Sequence, residues 1–264
     1  MAHPIEPAPR VRAVTLDRPL VWLARGLEDL RRCPLPGLVH GAAAAAFGAL
    51  LLTLAHDRFW ILAGAFSGFL IVAPILATGL YAISRALERG ERPTLALALR
   101  VWAARHARRP QLLRFGLLLA LAGTGWVLTS AALVTGFAEG PVARPIDFVH
   151  HVVLSRSSWL FEIWLVLGAV LAAPVFASSV VAMPLLLERK SSVLQAVLTS
   201  WQAVLAAPAA LALWAALILA LTSVGMATLL LGLIVVVPWL AHASWHAYRD
   251  LVEPEPTEDD APER

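Results

Sequence analysis

Six nearly uncharged stretches, 35–55, 59–83, 112–136, 159–187, 204–223 and 226–247, occupy more than half of the 264-residue chain. Each is near or above the roughly 20 residues a helix needs to cross the hydrocarbon core of a bilayer. In lipid a backbone must satisfy its own N–H and C=O groups, which leaves only helices and closed barrels. Barrel strands alternate polar and apolar over about ten residues, and these runs do not. The longest, 159–187, must tilt, kink or protrude. Overall the chain is 59% hydrophobic and 15% charged, against a charged share of about 25% in soluble domains. The expected class is therefore all-α: a polytopic membrane protein with six transmembrane helices.

A phrase recurs three times inside these runs: Gly-x5-Pro-x-[Leu/Phe]-Ala. The copies start at Gly68, Gly168 and Gly232 and place prolines at Pro74, Pro174 and Pro238. Pro74 and Pro174 are 100 residues apart, and their match runs on to Leu87-Glu88-Arg89 and Leu187-Glu188-Arg189. The third copy keeps an ending, Trp245-x3-Arg249-x-Leu251 against Tyr81-x3-Arg85-x-Leu87. Before each pair of runs comes a short segment with a tryptophan and then a proline: Trp22 and Pro34, Trp102 and Pro110, Trp201 and Pro208. In the first, Leu20, Leu23, Leu27 and Leu30 repeat at helical spacing with charges between them. Val193, Leu194, Val197, Leu198 and Trp201 make a similar stripe in the third. Such amphipathic helices lie in the interface plane with tryptophan at headgroup depth.

The repeat predicts three parallel helical hairpins, each preceded by an interfacial helix. The expected units are 16–90, 91–190 and 191–251, one membrane domain over 16–251. Residues 1–15 and the acidic, Pro-rich 252–264 are expected to be disordered. No apolar h-region precedes the first run, so no cleavable leader is expected. With six spans, both termini share a side with the 84–111 and 188–203 connections. That side holds 18 of the 21 Lys and Arg residues; Arg58, Arg144 and Arg156 lie opposite. The positive-inside rule then makes both termini cytoplasmic.

A proline at mid-span removes one backbone hydrogen bond and collides with the carbonyl four residues back. The freed group needs a partner, and Ser67, Thr78, Ser178 and Ser179 are near enough to offer one. Gly68, Pro74, Gly168, Pro174, Gly232 and Pro238 are thus the candidate kink or cavity residues. Small residues at Gly37, Gly41, Ala45 and Ala49 form a ridge for close helix packing. No acid, Lys or Arg lies near the middle of any run, which argues against a proton-coupled carboxylate relay. His242 and His246 stand one helical turn apart in metal-pair geometry. No third ligand is evident, and they fall where the helix reaches the interface, so no metal or other cofactor is expected. His150 and His151 are adjacent in the outer connection and share no helix face. Arg100, Arg105, Arg108 and Arg109, beside Trp102, are the candidate contacts to anionic lipid headgroups. A basic patch wedged between spans is no nucleic-acid surface. Phosphate-loop, nucleophile-elbow and zinc-protease motifs are missing, and no enzymatic activity is expected.

The stretch from Gly68 to Gly90, GFLIVAPILATGLYAISRALERG, resembles the signature of DUF2189, bacterial predicted integral membrane proteins. The ending Gly232 to Leu251 is similar to that family's carboxyl end. The resemblance covers most of 16–251 and implies a bacterial inner-membrane protein; it brings no established activity with it. Ala82 and Ala86 stand where many members carry larger polar residues. The functional expectation is a non-enzymatic structural, accessory or lipid-interacting module. The alternative is a transporter or channel for a neutral or amphipathic solute, lined by the proline kinks.

Overall fold

The computed structural model describes residues 9–254 apart from Arg109 and 156–158, with backbone alone at 66–76, 102–108 and Pro110. Eleven α-helices run through the described residues. α1 (Arg18–Arg32), α2 (Pro34–Ala55) and α3 (Phe59–Glu88) come first. α4 (Leu95–Arg108) and α5 (Pro110–Phe137) follow. A connection then holds the single turn α6 (Pro145–Phe148) and a π-helical turn, Val149–Val153. α7 (Leu160–Ser179), α8 (Ala182–Glu188), α9 (Val193–Ala206), α10 (Pro208–Ala227) and α11 (Leu233–Leu251) complete the chain.

Three times a helix of 14 or 15 residues precedes a longer one that opens on a proline, Pro34, Pro110 or Pro208. Proline suits the first helical position, where its missing N–H has no partner to lose. Its ring pushes the preceding residue out of the helical region. Cys33 (φ −137°, ψ 70°) and Ala207 (φ −140°, ψ 57°) make this hinge with nearly the same backbone. Each N–H donates to the carbonyl four residues back, at Asp29 and Ala203.

Among the described residues four helical stretches are long and apolar enough to cross a membrane: Pro34–Ala55, Gln111–Phe137, Leu160–Glu188 and Pro208–Ala227. That is fewer than the six expected runs. α3 has the length, at 30 residues, but the side chains at its centre lie outside the description. α11 carries His242, His246, Arg249 and Asp250 in its second half, which dilutes its hydropathy. It is nonetheless the axle of the bundle, packed by α1, α2, α3 and α10.

α2 lays its small residues on α11. A Cβ on Gly41 would stand 2.1 Å from the Ile234 carbonyl oxygen, and one on Gly37 would meet Leu30 and Pro238. Ala45 is buried with Leu230 and Leu233. The contact then turns to Gly48, which meets Leu230, while Ala49 is exposed. A helix of 3.6 residues per turn drifts off a strict four-residue spacing.

α1 turns its apolar face onto the bundle. Trp22 is fully buried, edge-on to Trp214 at 5.7 Å, and its Nε1 donates to Asp250 at 2.6 Å. Gly26 permits this, because a Cβ there would lie 2.5 Å from the Ala243 backbone nitrogen. α9 does keep an outward apolar stripe of Leu194, Leu198, Trp201 and Leu205, with Ala196, Thr199, Ser200 and Ala203 inward.

The middle return helix breaks at a proline the repeat does not flag. α7 continues through Pro174 to Ser179, and α8 starts at Ala182. Pro184 accounts for the break, since its ring clashes with the carbonyl of Val180. The Val181 N–H turns to Ser200 Oγ on α9, at 3.1 Å. Ser179 bonds back to Val175 and Phe176 within its own helix, and Ser178 accepts from Trp201 Nε1 at 2.9 Å.

Two segments near the limits of the described residues pair. Val11 and Val252 form an antiparallel bridge, with Arg12 N–H donating to Leu251 O and Glu253 N–H to Arg10 O.

Candidate functional site at the shared helix ends

The last turns of α3, α8 and α11 meet, with α1 alongside, and bring charged side chains together. α11 is the hub. His246 Nε2 lies 2.8 Å from Asp29 Oδ2 on α1, and its Nδ1 lies 3.8 Å from Glu88 Oε1 on α3. Arg249 reaches Glu88 at 3.4 Å and Glu188 of α8 at 3.6 Å. Arg85 lies 3.7 Å from Glu188, and the Tyr248 hydroxyl donates to the same carboxylate. One turn deeper, Ser84 Oγ and His242 Nδ1 are 2.8 Å apart. Ser84 and Glu88, like His242 and His246, are four residues apart and share a helix face. α3 and α11 thus face each other through two polar rungs.

Asp29, His242 and His246 are buried, Arg85, Glu188 and Arg249 half-buried, and Glu88 reaches the surface. Three carboxylates stand against two guanidiniums and one imidazole. Charges this far from water persist only when paired. Glu88 lies five residues beyond the expected span. Partial burial holds its carboxyl above the ordinary 4.5, against the pull of Arg249, Trp245 and His246.

Beside this cluster an open cleft of about 270 Å³ is lined by Arg25, Glu28, Asp29, Arg32, Leu87, Glu88 and His246. α1 supplies one wall with four of those side chains. α1 is pinned there by Asp250, which accepts from Arg18 Nε at 2.8 Å as well as from Trp22. Arg189 adds a hydrogen bond to the Glu253 carbonyl.

Of the kink residues, Gly168, Pro174, Gly232 and Pro238 fall among the described side-chain positions, and each has its own surroundings. Gly168 packs on Trp126 of α5, where a Cβ would lie 3.1 Å from the indole. Pro174 is exposed on α7, whereas Pro238 is buried against Gly37. Gly232 sits in the α10–α11 turn, its N–H on Thr228 Oγ1 at 2.9 Å, after Leu229 and Leu230 in the left-handed region. Gly68 and Pro74 are described by their backbone alone. Of the basic loop, Arg100 is exposed on α4; Arg105, Arg108 and Arg109 lie outside the described side chains. His242 and His246 are buried within the bundle, and each takes different partners. Among the described residues no group of three or more His, Cys, Asp or Glu is placed to hold a metal ion. His150 and His151 ride the π turn at the far end, where the His151 ring covers Gly140.

The cluster was visible in the sequence only as architecture. Glu88 and Glu188 match between the first two repeat endings, and Arg85 and Arg249 between the first and the third. The signal that would have exposed a site was that these matches are charged and end a span.

An apolar helical bundle with its ion pairs gathered at one end defines a polytopic integral membrane protein. Residues 61–188, from α3 to the end of α8, match the model of the family DUF2189, described as predicted integral membrane protein. The resemblance read over 68–90 falls inside that match; the one over 232–251 lies beyond it. No curated protein and no solved structure matches the chain.

Proposed function

We propose that this chain is a non-enzymatic accessory protein of the bacterial inner membrane that acts by binding lipid. In this reading it spans the membrane six times as three parallel hairpins, with both termini cytoplasmic. The observation that carries it is the convergence of Glu88, Glu188 and Arg249. Ion pairs of 3.4 and 3.6 Å bring the ends of α3, α8 and α11 together, which supports their ending on one side. If α2, α5, α7 with α8, and α10 alone crossed, the ends of α3 and α11 would lie on opposite sides. The matching hinges at Cys33 and Ala207 support a repeated unit. Polar chemistry is spent on closing one end of the bundle, while broad apolar faces such as Leu117, Leu121 and Leu128 of α5 stay exposed. The transport reading requires the kinks to share a cavity, and the exposed Pro174 and buried Pro238 do not favour it.

The basic α4 connection supplies the lipid contact, at roughly 1 kcal/mol per basic residue near an anionic surface. Thermal unfolding in nanodiscs tests this. A rising phosphatidylglycerol fraction raises the midpoint of the native protein. The combined change Arg100→Ala, Arg105→Ala, Arg108→Ala and Arg109→Ala removes most of that rise. A native midpoint indifferent to the anionic fraction overturns the assignment.

A further inference from the structure

We infer that the cleft between α1 and the ends of α3 and α11 binds a phosphate–amine zwitterion of the ethanolamine-phosphate class, with its amine on Glu88 and its phosphate on Arg25 and Arg32. The inference deepens the lipid-binding reading and rests on it.

The lining separates the two charges. Asp29 and His246 form a buried floor bonded to each other at 2.8 Å. Glu88 stands above it with ion-pair contacts of 3.4 and 3.8 Å, longer than hydrogen bonds. A carboxylate accepts about four hydrogen bonds, so Glu88 keeps capacity for the three donors of a primary ammonium. At the rim, Arg25 and Arg32 lie two turns apart on α1, both about half exposed. Arg32 pairs with Glu28, and Arg25 lies 3.8 Å from Asp250. Their planar forks suit phosphate oxygens. A simple anion would meet Glu28, Asp29 and Glu88, and a simple cation would meet both arginines. A ligand carrying both charges satisfies both sets.

The lining also selects among amines. It contains no Trp, Tyr or Phe, the residues that cage a quaternary ammonium. Recognition through Glu88 needs N–H donors, which choline lacks. The size fits a headgroup alone: 270 Å³ is below the ≈ 300–1,000 Å³ of sites that enclose drug-sized ligands. Acyl chains would remain outside, and α2 opens just past Arg32 with Leu35, Leu38 and Val39 exposed.

The test titrates the full-length purified protein in detergent, following thermal midpoint. The probes are phosphatidylethanolamine, phosphatidylcholine and phosphatidylglycerol of one chain length, and free O-phosphoethanolamine. The native protein binds phosphatidylethanolamine about tenfold tighter than phosphatidylcholine, the scale of one lost charged hydrogen bond. Glu88→Gln brings the two to parity. Arg25→Ala with Arg32→Ala weakens both. Leu87→Trp, which fills the cleft, abolishes the preference and serves if Glu88→Gln does not fold. Free O-phosphoethanolamine that competes identifies the headgroup chemistry as sufficient; failure to compete, with the preference intact, assigns the site to the whole lipid. Equal binding of phosphatidylethanolamine and phosphatidylcholine by the native protein, or a preference that survives Glu88→Gln, overturns the inference. If phosphatidylglycerol still stabilises in that case, the broader lipid-binding reading stands without this site. If no lipid stabilises, both fall.

Discussion

Gly41 is where one atom decides the packing. Its absent Cβ lets α2 approach the α11 backbone, and a methyl group there would meet Ile234 O at 2.1 Å. Backbone cannot move aside as a side chain can. Gly41→Ala should cost about 1–3 kcal/mol, the range for overpacking. Gly125→Ala on α5 meets nothing within 4 Å and should stay within about 1 kcal/mol of the native protein. Thermal unfolding in detergent separates the two; equal effects would contradict the α2–α11 contact. Glu88 makes a pH prediction. Its folded carboxyl sits above the ordinary 4.5 because partial burial disfavours the charge. A raised carboxyl binds its proton more tightly folded than unfolded. Its contribution is therefore complete below pH 4.5 and is lost as pH rises through the raised value. Arg249 and His246 on α11 and Asp29 on α1 face Glu88 and act on its carboxyl. The difference between native and Glu88→Gln midpoints isolates its part. That difference should change with pH just above 4.5, and a constant one refutes the assignment.

At the scale of elements, the hinges were legible and the docking was not. Proline at the start of α2, α5 and α10 acts on its immediate neighbour, so the sequence alone places those boundaries. The amphipathic pattern of α1 was also real, but it could not say what the apolar face meets. Lipid and the small-residue face of α11 can both take an apolar stripe; the docking seen depends on Gly26 fitting Ala243, a pairing between residues far apart in the chain. The repeat marks Pro174 and not Pro184, so the break before Ala182 is not legible in it. Likewise the charged repeat endings were plain, while their convergence depends on contacts between units. Asp250 tests the docking of α1. It accepts from both Arg18 and the fully buried Trp22. Asp250→Ala leaves a buried indole N–H unpaired, a loss of about 1–3 kcal/mol. Protease cleavage within α1 should become fast while α2 to α11 remain protected. Global cleavage at the same rate would mean that α1 is no separate dock.

For the whole molecule, the number of crossings is the property from which the others follow. Four helical stretches qualify as spans among the described residues, and α11, with two histidines, an arginine and an aspartate, is not one of them. The six-span proposal rests on packing. α11 is sheathed by α1, α2, α3 and α10, so its polar residues face protein rather than lipid, where they would be costly. The two counts predict opposite sides for three positions. With six spans, Glu91 and Lys190 lie with the termini in the cytoplasm and Ala143 lies outside. With four, Glu91 and Lys190 lie outside and Ala143 inside. Cys33 is the chain's single cysteine, so Cys33→Ser provides a thiol-free background. Into it, Glu91→Cys, Lys190→Cys and Ala143→Cys are introduced one at a time. In intact cells a membrane-impermeant thiol reagent should label the 143 variant alone, and permeabilisation should expose the other two. Labelling of positions 91 and 190 in intact cells, with 143 protected, would overturn the six-span arrangement. It would also separate Glu88 from Arg249 by the thickness of the membrane, and so remove the charged end on which the lipid site is built.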